Sequence, residues 1–162
     1  NALMEAQREP DSTSVDKKSE MEPLVLEWLK QTKFWDENKS NAEIHPQFEL
    51  GKYLKQLDKS YNHPNYRVDF LLVYLDEEGH DHKIIIEYDG FMEHFGASAH
   101  IVNESNYQDY YSPEDVYRQH VLEGYGYRFI RLNKVKLGDD RIGTLDSRME
   151  VVLKKNFPDT EP

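Results

Sequence analysis

The sequence predicts an α/β domain in which a mixed central sheet is flanked by helices on both faces. Two strongly apolar runs, residues 66–75 and 83–88, enclose the turn-forming segment 76–79, which is typical of a β-hairpin. Both runs are apolar at successive positions, so the sheet is expected to be covered on both sides. Helical patterns precede and follow this hairpin, and that order of elements favours a mixed sheet between helices.

The segments before the hairpin predict one helix and one ambiguous element. Residues 1–18 lack periodicity and are interpreted as a flexible lead-in, with Asn1 and Ala2 as a tag remnant. A helix is predicted from Ser19, with Pro23 in its first turn and an end before the polar stretch 36–41. Its apolar stripe consists of Met21, Leu24, Val25, Trp28 and Leu29. Residues 48–54 suit a strand or an amphipathic helix, and we favour an extended segment.

The segments after the hairpin predict a loop, a helix, a strand and a final helix. Residues 95–111 are polar and rich in tyrosine, which favours a loop. Ser112 is a suitable N-cap with proline next to it, and the helix is expected to reach about Gly124. Residues 127–132 predict a further strand, and residues 144–155 predict the last helix.

Composition limits the classes of function. A chain of 162 residues accommodates one domain, expected at residues 19–157 with a tail at 158–162. The net charge of −11 opposes simple nucleic-acid binding but does not exclude it, since many acidic residues lie in the terminal segments. Absence of cysteine excludes disulfides and thiolate metal sites and fits a reducing cytoplasm. No apolar run approaches the roughly 20 residues of a membrane span.

Three carboxylates lie inside or directly after the apolar strands: Asp69, Glu87 and Asp89. A buried carboxylate is costly unless a partner compensates its charge. If the hairpin loop centres on Glu78, paired residue numbers add to about 156, and Leu71 pairs with Ile85. Asp69 then faces Glu87, and both project from one face together with Asp89. A register slip of one residue would separate them.

Three acids on one face repel one another, and a hard divalent cation with oxygen ligands resolves this. Mg²⁺ is the expected ion for a site of one or two carboxylates, water and phosphate. The structural alternative is a strand-ending turn at Asp89, with Asp69 paired to Arg67 or Arg118.

The motifs in order resemble the PD-(D/E)XK nuclease superfamily, in the branch of the very-short-patch-repair endonucleases. They are Val68-Asp69-Phe70, residues 86–90 with His94, Asp115-x-x-Arg118 with Leu122 and Gly124-Tyr125, and Arg128-Phe-Ile-Arg131. The leading segment from Ser19 to Leu29 is similar to the acidic first helix of that branch. The resemblance covers about residues 19–135.

The resemblance implies a restriction-endonuclease-like fold and Mg²⁺-dependent hydrolysis of DNA phosphodiester bonds, with Mn²⁺ as a substitute ion. Asp69 and Glu87 would hold the metal, and Glu22 would join them directly or through water. The chain would be a cytoplasmic domain of a larger DNA-processing or defence protein, with other domains of that protein as partners.

Asp89 departs from the superfamily pattern, which usually has lysine at this position. Another group must then supply the cationic or basic function. His94 could act as a general base or simply pack in its loop, and Arg118 could clamp phosphate or pair with Asp89. The missing lysine and the acidic charge keep open a non-catalytic nuclease-fold module that binds DNA or protein. A third interpretation is a metal enzyme that acts on a small phosphorylated substrate.

Two further sets of residues carry weaker expectations. Aromatic residues near the site could stack on bases or, as we favour, cap the core: Phe91, Phe95, Tyr107, Tyr110 and Tyr111. A basic groove would draw on Lys52, Lys55, Arg118, Arg128, Arg131, Lys134 and Lys136. The remaining histidines are interpreted as ordinary surface or loop residues: His45, His63, His80, His82, His100 and His120.

Overall fold

A computed structural model describes residues 18–89 and 112–156 of the chain. The helices are α1 (Lys18–Leu29), α2 (Lys33–Asn38), α3 (Leu50–Leu57), α4 (Pro113–Gly124), α5 (Lys134–Leu137) and α6 (Arg141–Asn156). The strands are β1 (Ala42–Glu49), β2 (Arg67–Leu75), β3 (Asp81–Tyr88) and β4 (Arg128–Leu132). A short 3₁₀ turn at Lys39–Asn41 leads into β1.

The described strands form one mixed sheet in the order β1-β2-β3-β4. β1 pairs with β2 and β2 with β3 in antiparallel fashion, whereas β3 and β4 run parallel. Helix α4 lies in the connection between the two parallel strands, as such a crossover requires. The predicted α/β class with a mixed sheet is confirmed.

Apolar side chains cover the sheet on both faces, as the uninterrupted apolar runs predicted. One core cluster packs helices α1 and α6 on Phe70, Leu72, Ile84, Ile86, Tyr88, Ile130 and Leu132. A second cluster packs α3 and α4 on Leu71, Ile85 and Phe129. Neighbouring residues such as Ile84 and Ile85 belong to different clusters, so both clusters depend on the same strands. The alternation breaks near the start of β2, where Val68 joins the second cluster and Phe70 the first.

The register of the hairpin is the one that its turn predicted. Leu71 pairs with Ile85 and Phe70 with Ile86, and the residue numbers of every pair add to 156. The turn places Gly79 at a φ of +88°, a conformation that other residues rarely adopt. β4 extends this register across the sheet by placing Arg131 opposite Glu87.

The first helix ends at Leu29, before residues 36–41 as expected. The separate helix α2 at residues 33–38 was not predicted. The Thr32 hydroxyl accepts a hydrogen bond from the Trp35 N–H at 3.1 Å and so caps the helix. The Asp146 carboxylate of α6 also accepts the N–H groups of Lys33 and Phe34, at 2.8 and 3.0 Å. This support comes from more than 100 residues away in the chain, which local sequence could not reveal.

The favoured extended interpretation of residues 48–54 was correct only for its first two residues. β1 ends at Glu49, and α3 begins at Leu50 and buries Leu50 and Leu54 on one side. Gly51 is the closest point of this helix to the following loop. A Cβ at this glycine would lie 2.5 Å from backbone atoms of residues 64–66.

Three smaller boundaries also differ from the expectation. Pro23 lies inside α1, more than one turn after Lys18, instead of in the first turn. The short helix α5 was not predicted, and α6 begins at Arg141 instead of Thr144.

Replacement of Gly51 by alanine tests the close approach of α3 to its loop. Because the new methyl group would overlap backbone atoms, which cannot rotate away, we expect G51A to lose about 1–3 kcal/mol of unfolding free energy. G124A is the matched control, since a Cβ at that helical glycine meets nothing within 4 Å. Urea denaturation measures both, and equal stability of the two variants would contradict the close approach.

Candidate active site

The three predicted carboxylates lie together at one end of the sheet. Asp69 lies on β2, Glu87 on β3, and Asp89 directly after β3. All three residues are buried, with 6%, 5% and 9% of their surface exposed. The last pair of the hairpin is Phe70–Ile86, and Asp69 and Glu87 are the next residues along β2 and β3. The Tyr88 backbone N–H donates to Asp69 Oδ2 at 3.0 Å.

Arg118 of α4 makes a bidentate contact with Glu87. Its Nη1 donates to Glu87 Oε1 at 2.9 Å, and its Nη2 donates to Glu87 Oε2. Nη2 also donates to the backbone carbonyl of Arg67 at 3.1 Å, and the guanidinium carbon lies 5.9 Å from the centre of the Tyr66 ring. The geometry matches the fork that guanidinium groups use for carboxylates and phosphates.

Arg131 of β4 adds a second guanidinium between two of the carboxylates. Its Nη1 lies 3.5 Å from Glu87 Oε1 and 3.4 Å from Asp89 Oδ1. Its Nε donates to Gln119 Oε1 at 2.7 Å, and this bond orients the guanidinium from α4. Arg131 therefore places positive charge next to Asp89.

The electrostatic balance keeps Arg118 charged. Burial acts to lower its pKa, but the negative charge of Glu87 and the hydrogen bonds to that carboxylate outweigh burial and raise the pKa. Side-chain exposure is 15% for Arg118 and 6% for Glu87, so solvent screens the pair only weakly. The two groups form an ion pair that is largely removed from water.

Local sequence explains how Arg118 reaches this end of the sheet. The Ser112 hydroxyl accepts the Asp115 N–H at 3.1 Å, and Pro113 occupies the first turn, so the start of α4 is fixed. Leu122 is fully buried in the core under α4. Arg118 lies one turn earlier on the same side of the helix and therefore points to the sheet.

Glu22 is connected to this region through β1. Gln47 Nε2 donates to Glu22 Oε1 at 2.6 Å. Gln47 falls between the residues of β1 that pair with Phe70 and Val68, and so lies across from Asp69. Its φ of +50° is unusual for a residue other than glycine, and such strain is often found at functional sites.

Sequence reasoning thus anticipated four of the grouped residues and missed a fifth. Asp69, Glu87, Asp89 and Arg118 meet at one sheet end, although Arg118 takes Glu87 as its bidentate partner and Asp89 has Arg131. Arg131 was named in a motif of the family resemblance and as part of a basic groove, but not as a site residue. The sequence signal for its role was an arginine two residues after Phe129 in a buried strand. In the structure this strand, β4, lies next to β3.

Several predicted residues lie outside the described part of the chain. They are Gly90, the candidate base His94, and the aromatic residues Phe91, Phe95, Tyr107, Tyr110 and Tyr111.

The three carboxylates suit a hard cation chemically, but Arg118 would compete with the cation for Glu87. Asp69, Glu87 and Asp89 provide carboxylate oxygens, the ligands that Mg²⁺ prefers. Among the described residues, Glu87 lies beside Arg118 and Arg131, and Asp89 lies beside Arg131. An ion bound to Glu87 would have to compete with Arg118, which already donates to both carboxylate oxygens.

Part of the expected basic groove lies close to this site. Lys52, Lys55, His63 and Asn65 line an open cavity of about 350 Å³ beside α3. Asn65 is two residues from Arg67 in the chain, and the Arg67 carbonyl accepts a hydrogen bond from Arg118. By contrast, burial lowers the pKa of Lys136. Arg128 is half-buried, and the side chain of Lys134 lies outside the described residues.

Comparisons of the chain with protein-family models, with curated proteins and with solved structures found no match. Of the helices in residues 18–89 and 112–156, none is both long and apolar enough to cross a membrane.

Removal of Arg118 tests whether Glu87 is buried as an anion. We expect R118A to lose about 3–5 kcal/mol of unfolding free energy, because the Glu87 charge would remain buried with one guanidinium fewer. The double variant R118A/E87Q should recover part of this loss, since it removes the charge as well.

R118K is the matched control, because lysine keeps the charge but loses the bidentate fork. Urea denaturation at neutral pH measures all four proteins. An R118A variant as stable as the unmodified chain would show that the ion pair is not a buried one.

Proposed function

We propose that this chain is a Mg²⁺-dependent DNA endonuclease domain that hydrolyses phosphodiester bonds, with Asp69 and Glu87 as metal ligands. The observation that carries the proposal is the burial of both carboxylates at the same end of adjacent strands, with two arginines beside Glu87. The motif resemblance supplies DNA as the substrate, Mn²⁺ as a substitute ion, and a place within a larger DNA-processing or defence protein. The absence of cysteine fits a cytoplasmic location.

Asp69 and Glu87 provide oxygen ligands on neighbouring strands, and the Tyr88 N–H fixes one oxygen of Asp69. A bound Mg²⁺ at such a site lowers the pKa of a coordinated water and stabilises negative charge on phosphate. Glu22 supports the site through Gln47, because its carboxylate accepts a hydrogen bond from the Gln47 side-chain amide.

The arginines suit the phosphate side of the reaction. Arg118 presents a guanidinium whose bidentate geometry fits two phosphate oxygens as well as it fits the oxygens of Glu87. Exchange of Arg118 from Glu87 to a phosphate would at the same time release Glu87 for an ion. Arg131 lies beside Asp89 and supplies the positive charge that lysine gives elsewhere in the superfamily. Lys52 and Lys55 line the neighbouring cavity and would contact the DNA backbone.

A second candidate is a nuclease-fold module that binds DNA or protein without cleaving it. One observation favours it: Arg118 donates to both oxygens of Glu87, which neutralises that carboxylate without a metal. In that case Arg118 and Arg131 would serve only to stabilise the fold, and the lysine-lined cavity would bind the partner.

Cleavage assays with the two metal-ligand candidates test the proposal. We expect the unmodified chain to nick plasmid or cut single-stranded DNA with Mg²⁺ or Mn²⁺, and D69N or E87Q to lower the rate at least about 100-fold. Asparagine at position 69 can still accept the Tyr88 N–H, so D69N should remain folded. D81N is the matched control, because Asp81 is an exposed carboxylate at the other end of β3.

Equal cleavage by the unmodified chain, D69N and E87Q would contradict the assignment of the ligands. Absence of cleavage with retained DNA binding in EDTA would favour the second candidate. Thermal unfolding of each variant separates a loss of ligand from a loss of fold.

A further inference from the structure

The turn between β2 and β3 carries a second cluster of potential metal ligands, at the opposite end of the hairpin from Asp69 and Glu87. Asp76, Glu78 and His80 each offer a ligand atom, and these atoms all lie within 4.8 Å of one another. His80 Nδ1 is 3.4 Å from Asp76 Oδ2 and 3.7 Å from Glu78 Oε1. Neighbouring ligands of a tetrahedral Zn²⁺ are about 3.3–3.6 Å apart, given bond lengths of about 2.0–2.2 Å.

Asp76 is held in position before any ligand arrives. Its Oδ1 accepts the backbone N–H groups of Glu78 and His80, at 2.9 and 2.8 Å. The turn itself is closed by the Gly79 N–H, which donates to the Asp76 carbonyl at 3.0 Å. The carboxylate therefore presents Oδ2 to the imidazoles, and an ion would not have to reorganise the backbone.

His82 supports Asp76 from inside the protein. His82 is only 4% exposed, and its Nε2 lies 2.9 Å from Asp76 Oδ2. The imidazole stacks on the Tyr74 ring, with centroids 5.3 Å apart and planes 23° apart. The expectation that His82 is a surface or loop residue was therefore wrong. Metal-ligating groups commonly have such a buried hydrogen-bonding partner, which sets their orientation.

The charge at the turn also favours a cation. Residues 76–82 contain four carboxylates and two histidines, so neutral imidazoles leave the turn strongly negative. Mg²⁺ would prefer an all-oxygen site, whereas an imidazole among carboxylates suits Zn²⁺ and related transition metals. Sequence inspection found no ligand pattern among the histidines, because the turn brings positions 76, 78 and 80 together only after the chain reverses.

We propose that Asp76, Glu78 and His80 form a Zn²⁺ site at the β2–β3 turn, with His82 as the group that positions Asp76. The fourth ligand is water, since Glu78 and His80 have side chains that are 81% and 44% exposed. The site is independent of the proposed nuclease reaction and would brace the hairpin that carries Asp69 and Glu87.

Calorimetric titration of the full, tag-free chain with ZnCl₂ tests the proposal. We expect one Zn²⁺ per chain and a Zn²⁺-dependent rise in Tm, with affinity at least about 10-fold weaker in H80Q and in E78Q. H45Q is the matched control: His45 and Glu43 form an exposed imidazole–carboxylate pair at 2.9 Å, and that pair lacks a third ligand in the described structure.

Co²⁺ in place of Zn²⁺ gives a second readout, because four-coordinate Co²⁺ absorbs visible light far more strongly than six-coordinate Co²⁺. Strong absorption in the unmodified chain that H80Q abolishes would support the site. Absence of Zn²⁺ binding by the unmodified chain, or binding that H80Q and E78Q leave unchanged, would overturn it. Loss of binding in D69N but not in H80Q would instead assign Zn²⁺ to the carboxylate cluster.

Discussion

The buried negative charge of Glu87 is the constraint on which this end of the molecule depends. An uncompensated carboxylate in a protein interior costs several kcal/mol even after relaxation. Two arginines from different elements offset this energetic cost: Arg118 from α4 and Arg131 from β4. Gln119, next to Arg118 on α4, in turn orients Arg131. The helix, the parallel strand and the acidic edge of the hairpin are therefore held together by one charge.

That arrangement has a functional consequence. In the proposed function, Glu87 would exchange an arginine partner for a divalent cation. In that proposal a divalent ion would compete with the guanidinium of Arg118 for the oxygens of Glu87, and phosphate would compete with Glu87 for that guanidinium. The same contacts thus support the fold without a substrate and could bind metal and phosphate together. Asp89 fits this scheme because Arg131, on the adjacent strand, lies beside it.

The part of this structure that was predictable depends on local or periodic signals. The hairpin register followed from turn length and alternation, and Ser112 marked the start of α4 because capping involves residues only three apart. Helix α2 was missed because Asp146, far away in the sequence, holds its start. Arg131 was undervalued because its role comes from the parallel pairing of β4 with β3. His82 was misjudged because its burial depends on the strand face, which a short polar motif does not reveal.

The carboxylate cluster and the turn cluster divide the hairpin into two chemically different ends. Buried oxygen ligands with arginine partners suit a hard ion, whereas the exposed imidazole and carboxylates of the turn suit a borderline one. Both ends use backbone N–H groups to fix one carboxylate oxygen, from Tyr88 to Asp69 and from His80 to Asp76.

Paramagnetic broadening by Mn²⁺ tests the central claim most directly, because it locates a bound ion without requiring catalysis. Titration of the isotope-labelled chain should first broaden the Tyr88 amide and the Arg118 guanidinium signals, which adjoin Asp69 and Glu87. The same titration of D69N should leave those signals sharp. Broadening confined to the turn around Asp76, or to exposed carboxylates elsewhere, would contradict a metal site at Asp69 and Glu87.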